Sequence, residues 1–230
     1  AAAVCDELMS VGDGNGGERL VPKSACNTLL RIKRPIGEVI RGVQLGSRIG
    51  FRFRQDGRMG AYIEDSIGRQ QTEKPAGSNS TVTLNGGWPS YEFGDGQGGA
   101  GGIVLSAVRG PALRLYSRSY SETANRVQVE FVDPENDYAT DTLSLVDIDD
   151  VVKVGQEIGY QVPAVGVTGY GQAYRLCKSV LDKNVRGNVY AELESGLKAA
   201  LVQPGEVITL NVPSAGLERQ SFRVLSVAPG

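Results

Sequence analysis

The residues best suited to chemistry in this chain are carboxylates. Glu64 and Asp65 are adjacent, and Asp147, Asp149 and Asp150 cluster close together. Two carboxyls held about 5–9.5 Å apart across a cleft support glycoside hydrolysis. A hydrolase built on such a pair is therefore one reading. The stretches Asp133-Pro-Glu-Asn-Asp137 and Asp147-Ile-Asp-Asp150 are the places where a hard cation such as calcium would look for oxygen ligands. Neither has the EF-hand spacing, which needs a glycine at the sixth loop position and a closing glutamate. A turn whose Asp and Asn side chains bond the nearby backbone explains 133–137 without a metal. The run Gly94-Asp-Gly-Gln-Gly-Gly-Ala-Gly-Gly102 loosely resembles a phosphate loop. A dinucleotide fingerprint must lie between a strand and a helix, and a Walker loop must end in G-K-[ST]. Neither context is present, so the run reads as a surface loop. Trp88, Tyr91 and Tyr120 are aromatic rings on which a sugar could stack, which opens the alternative of a carbohydrate- or receptor-binding β module.

The chain has no histidine. That removes the commonest general base and the commonest metal ligand. It also excludes Ser-His-Asp and Cys-His nucleophile systems. The three cysteines, Cys5, Cys26 and Cys177, are odd in number and show no C-x-x-C spacing, which argues against a disulfide framework. Cys177 sits in an apolar helical stripe and reads as a small buried hydrophobe. Cys5 and Cys26 can pair only if the fold brings them together. No catalytic, cofactor-binding or metal-ligating residue is assigned, and the chain is expected not to be an enzyme. Arg31, Lys33 and Arg34 form one basic cluster, and Arg52, Arg54 and Arg58 another. At a net charge of -2 these read as solvated faces or subunit salt bridges, not as a nucleic-acid interface. No run of about 18 apolar residues exists, so no membrane-spanning segment is expected. The first residues read as the middle of a longer polypeptide.

The elements that would position these groups follow from periodicity. A short helix is expected over 1–9, a glycine loop over 12–17 and a short strand over 19–23. A helix is expected over 35–45, opened by Pro35, with Ile36, Val39, Ile40 and Val43 on one face. A hairpin then turns at Asp56-Gly57, between Phe51-Arg-Phe53 and Met59-Gly-Ala-Tyr-Ile63. Residues 1–67 thus form a small α+β unit. Residues 68–112 are an irregular, glycine-rich connection. A strand is expected there at 81–84, Trp88, Tyr91 and Phe93 anchor the loop on the core, and 103–108 and 112–116 are candidate strands. In 125–132, Val127, Val129 and Phe131 share one face. A helix over 172–183 aligns Ala173, Leu176, Cys177 and Val180. A strand is expected at 188–194, and Pro204-Gly205 suits the centre of a type II turn. The last two strands, 207–212 and 221–227, pair as neighbours. The fold class is α+β, mainly β. Residues 113–230 form a barrel-like domain with one helix.

This ordered series resembles the central hub, or tail-tip, proteins of long-tailed bacteriophages. These include lambda-type tip attachment proteins and the host-specificity proteins of gene transfer agents. Three stretches carry the resemblance. The first is Val4-Cys-Asp-Glu-Leu8, Glu18-Arg-Leu20, the 35–45 helix and the 51–63 hairpin. In it, Arg19-Leu20 stands where the family often has arginine and an aromatic. The second is Asn125-Arg-Val-Gln-Val-Glu-Phe with Asp133-Pro-Glu-Asn-Asp-Tyr138. The third is Gln172-Ala173, Pro204-Gly205-Glu-Val207 and Phe222-Arg-Val224. The resemblance implies a virion structural protein of the tail tip or baseplate hub, assembled in the bacterial host cytoplasm. It implies a homotrimeric ring at the distal end of the tail tube. The implied partners are other tail and baseplate proteins, the tape-measure protein, and the host receptor through peripheral modules. Host attachment and passage of DNA during ejection would follow, with no sequence-specific nucleic-acid binding and no cofactor.

Overall fold

The computed structural model describes residues 6–12, 17–26, 33, 35–53, 57–64, 81–84, 88–96, 101–104, 113–119, 122–134 and 136–228. Along the chain the elements are β1 Leu8–Gly12, β2 Glu18–Pro22, α1 Ile36–Ser47, β3 Ile49–Phe53, β4 Met59–Ile63, β5 Thr81–Leu84, β6 Trp88–Gly94 and β7 Leu113–Ser117. They continue with β8 Arg126–Asp133, β9 Ala139–Val146, α2 Ile148–Val154, β10 Gly159–Val162, α3 Tyr170–Val185, β11 Val189–Leu193, β12 Val207–Val212 and β13 Leu217–Arg223. The architecture is α+β and mainly β. Among the described residues no sheet closes into a barrel. The linear reading divides the chain at 67 and 112. Spatially the chain groups into two discontinuous units, 1–49 with 117–189 and 50–116 with 190–230.

The first unit is built on β8. It lies between β9, antiparallel to it, and β10, parallel to it. Alternation sends Val127, Val129 and Phe131 inward, where they are buried with Val162, Val167, Ala173, Leu176, Cys177 and Leu181. Burial of each such large apolar side chain stabilises the fold by about 1.5–3 kcal/mol. The helix α3 supplies Ala173, Leu176 and Cys177 from one face, as its spacing predicts. Strand β9 is an element that the sequence pattern did not announce. Its residues Thr140, Thr142 and Ser144 alternate with Leu143 and Leu145 only in its second half.

Two expectations are corrected in this unit. Leu8 and Met9 belong to a strand, not to a helix over 1–9, and β1 pairs antiparallel with β2 in register from Leu8↔Pro22 to Gly12↔Glu18. A lone helix of nine residues lies below the length that is stable in water, whereas a strand beside β2 gains ladder partners. The helix α1 forms as expected, but it presents the wrong face. Ile36 and Ile40 are exposed, Val39 and Val43 half-buried, and the buried positions are Gly42, Gly46 and Ser47. A side chain at Gly42 would collide with Val165, and one at Gly46 would stand 2.9 Å from the Val165 carbonyl oxygen. The backbones approach closely enough for Val165 N–H to donate to the Gly42 carbonyl at 3.0 Å. Glycine has no hydropathy signal, so periodicity points at the isoleucines instead.

The second unit is a four-stranded sheet of order β13-β12-β6-β5. Strand β12 is buried along its whole length, antiparallel to β13 and parallel to β6. The stretch around Trp88, Tyr91 and Phe93, expected to be a loop anchor, is therefore an interior strand. Tyr91 and Phe93 enter the core with Ile208, Leu210 and Val212. The turn before β12 has Glu206 N–H donating to the Gln203 carbonyl at 3.2 Å and Gly205 at φ 86°, the type II geometry that Pro204-Gly205 suits. Strand β13 starts at Leu217, earlier than the 221 expected, and ends at Arg223. β3 pairs with β4, β11 pairs with β7, and Gly57 has the positive φ of 75° that a tight turn requires.

Candidate functional site

Of the carboxylates that suggested hydrolysis, Asp147, Asp149 and Asp150 sit at the start of α2. Asp147 caps α2, its Oδ1 accepting from Asp150 N–H at 3.1 Å. Its Oδ2 lies 3.3 Å from the Arg186 guanidinium at the end of α3. Asp149 and Asp150 occupy the first turn of α2, where negative charge favours the helix dipole. Glu64 is half-buried, and Asp65 lies outside the described residues. Among the described residues, no three or more Cys, Asp or Glu side chains gather as a metal site would need.

The base of the glycine-rich run has the wrong polarity for a phosphate, which needs converging N–H donors. It presents carbonyls instead. Gly101 O accepts from Lys198 Nζ at 2.9 Å, and Gly102 O accepts from Ser195 Oγ at 2.5 Å. Gly94 pairs across the loop with Gly101 and Ile103. Lys198 also lies 5.4 Å from the Tyr91 ring centre and 5.1 Å from that of Phe93. Burial lowers its pKa, opposed by the attraction of Glu92. The lysine is a clamp that holds the loop base over the aromatic core. Residues 97–100 of the run lie outside the described set.

The aromatic platform is also not as expected. Tyr91 is 1% exposed, and its hydroxyl donates to the Lys198 carbonyl at 2.9 Å. It cannot stack on a sugar. The Trp88 side chain and Tyr120 lie outside the described residues. Of the arginines, Arg52 is turned inward. It donates to the Pro204 carbonyl at 3.2 Å, faces Glu206 at 3.8 Å and lies 5.7 Å from the Tyr62 ring centre. Tyr62 in turn fills a slot made by two glycines, because a side chain at either Gly50 or Gly205 would run into its ring. Lys33 is exposed, and Arg31, Arg34 and Arg54 lie outside the described residues. Cys177 is fully buried, its thiol donating to the Val127 carbonyl at 3.1 Å. Burial pushes that thiol's pKa up, partly offset by a backbone hydrogen bond at Leu145. Cys26 is an exposed free thiol, and Cys5 lies outside the described residues.

Sequence reasoning missed two features. One is the ion pair of Glu92, on the interior strand β6, with Arg219 at 3.3 Å. The other is an inside-out hairpin. On β3 and β4 the inward positions hold Arg52, Gly60 and Tyr62, while Phe51, Phe53 and Met59 face solvent. The alternation of 51–53 was a usable signal for the strand, but not for the side it buries.

Residues 107–227, just over half of the chain, match the family model described as "Putative phage tail protein". Among solved structures, a chain of "Virion of native gene transfer agent (GTA) particle" is similar at a TM-score of 0.48 and 16% sequence identity. The match covers 60% of this chain and 29% of that one, so this chain spans under a third of its length. No curated protein matches the sequence.

Proposed function

We propose, from the premise that this chain belongs to the phage tail protein family, that it is a structural module of the tail-tip or baseplate hub. In this reading it assembles as a homotrimeric ring at the distal end of the tail tube. It contacts other tail proteins and the tape-measure protein, and contributes to host attachment and DNA ejection. It works through shape and interfaces and catalyses no reaction.

The observation that supports this reading most is the content of the matched segment. Residues 107–227 hold β7 through β13, and with them most of both apolar cores. In that segment Asp147 caps a helix, Lys198 clamps a loop base and Cys177 packs in a core. The alternative of a carbohydrate-binding module loses Tyr91, which is buried. A glycan array with no binding and unchanged tryptophan fluorescence would dispose of it.

The test is size-exclusion chromatography with light scattering on the natural full-length protein, with pull-down of tail proteins from infected cells. A trimer, or capture with tail components, is expected. A strict monomer under all conditions with no tail partner would refute the reading.

A further inference from the structure

Two arginines of the first unit converge where α1 ends. Gln172, near the start of α3, donates from Nε2 to the Gly46 carbonyl at 3.1 Å and to the Ala25 carbonyl at 3.0 Å. These bonds pin α3 against the last turn of α1. Arg175 follows Gln172 by three residues and so shares its helix face. It donates to the Lys23 carbonyl at 2.7 Å. Arg48 follows Gly46 by two residues and ends α1 with a left-handed φ of 58°. Glycine is the usual residue at such a helix end, so the cap alone gives no reason for an arginine.

The two guanidiniums repel each other. Burial lowers the Arg175 pKa, and the charge of Arg48 lowers it further. Arg48 Nε is buried and has no hydrogen-bond partner, which leaves the terminal nitrogens of that head group to meet an acceptor. Among the described residues, no carboxylate is seen to pair with either guanidinium. The Lys23 ammonium is engaged with Glu7 at 3.8 Å and is not counted with them. Both arginines are half-buried, so solvent still reaches them. Two like charges side by side, one with a buried donor unmet, cost free energy that an anion would recover.

We propose that Arg48 and Arg175 together bind a phosphate group, as the free ion or as the end of a phosphate monoester. Guanidinium forks match the spacing of phosphate oxygens. The nearly double negative charge of a phosphate monoester at neutral pH balances both arginines. A carboxylate, with a single charge, balances only one. The bond from Arg175 to the Lys23 carbonyl and the short span from Gly46 to Arg48 hold the pair in place before the anion arrives.

The experiment is isothermal titration calorimetry on the natural full-length protein, with inorganic phosphate, phosphoserine and acetate at matched ionic strength. Saturable binding of phosphate or phosphoserine is expected, with acetate weaker than either. The tighter of the two phosphates tells a free ion from a monoester. Thermal melts should rise with phosphate to the same saturation curve. Arg48→Gln should weaken binding by about tenfold or more. Its melting temperature without phosphate should stay level or rise, because the repulsion is gone. Arg175→Gln is the second variant, and Lys153→Gln, which removes one exposed charge from α2, should bind as the wild type does. Wild-type protein that binds neither phosphate nor phosphoserine overturns the proposal. So does folded Arg48→Gln or Arg175→Gln that binds as tightly as wild type, or an equal loss in Lys153→Gln, which would make net charge the cause.

Discussion

Strands β8 and β3 share one pattern and use it in opposite ways. Both alternate large apolar with polar residues. In β8 the apolar set, Val127, Val129 and Phe131, is buried under α3, and the polar set faces out. In β3 the apolar Phe51 and Phe53 face solvent, and Arg52 turns in to meet Pro204, Glu206 and the ring of Tyr62. Alternation fixes a period of two, but it does not say which face is inside. The neighbour decides. β8 is opposed by a helix with an apolar stripe. β3 is opposed by a turn whose glycine leaves room for a tyrosine ring and whose carbonyl accepts from an arginine. Without such an apolar neighbour the outward face of β3 stays exposed.

The sharpest way to break this comparison is to truncate the same residue type on each strand. Phe131→Ala should cost about 3–5 kcal/mol, because it opens a cavity among packed neighbours. Phe53→Ala, exposed, should change stability by less than about 0.5 kcal/mol. Urea denaturation of both variants checks this. Equal costs would mean that the hairpin face is covered within the chain.

A second pair concerns glycines on one helix. At Gly42 a methyl group would run into Val165, while at Gly37 nothing lies within 4 Å. Gly42→Ala should therefore lose about 1–3 kcal/mol through overpacking, less the helix propensity it gains. Gly37→Ala should gain about 0.5–1 kcal/mol, the ordinary helix preference for alanine. Thermal melts of the two variants should move in opposite directions. A stabilised Gly42→Ala would show that α1 does not rest on its glycines.

A third pair tests the acidic stretch. Asp147→Ala removes the oxygen that accepts from Asp150 N–H and should cost about 1 kcal/mol. Asp149→Ala, in the exposed first turn, should lose only a few tenths, about 0.3 kcal/mol, from the helix dipole. Asp147→Asn keeps a capping oxygen and should recover most of the loss. Equal losses at Asp147 and Asp149 would make charge, and not the cap, the working feature.

Legibility in the sequence divides along the same lines. β8, α3, the type II turn at Pro204-Gly205 and the pairing of β12 with β13 could be read, because each has a local cause in apolar spacing or turn chemistry. The strand at 8–12 could not, since its stability comes from β2 and its own residues fit either period. β6 was hidden for another reason: Pro89 and Gly94 bracket Tyr91 and Phe93 and imitate a loop. The buried face of α1 was invisible because close backbone approach is written in glycines. Of the candidate residues, the absence of histidine narrows the chemistry on general grounds alone. Which aromatic is buried and which is exposed depended on long-range register. Tyr91 and Tyr138 look alike in sequence and lie at 1% and 72% exposure.

The least costly test follows from the two thiols. Cys177 packs on the inward face of β8 and Cys26 is exposed, so they report the two kinds of surface. Burial raises the Cys177 pKa by disfavouring the thiolate, with the hydrogen bond at Leu145 opposing it. In the unfolded chain that thiol would ionise near its ordinary pKa of about 8.5. Below that value both states hold the proton, and the contribution of Cys177 to stability is fully present. As pH rises from there through the raised folded value, unfolding releases a proton and stability declines. Native protein should therefore show alkylation at Cys26 and protection at Cys177 at pH 8, resolved by peptide mass mapping. Cys177→Ala should flatten the loss of stability above about pH 8.5, although it lowers stability at neutral pH. If Cys177 reacts as fast as Cys26 in the folded protein, the inward face of β8 is not sealed by α3. The contrast with the outward-facing hairpin would then lose its basis.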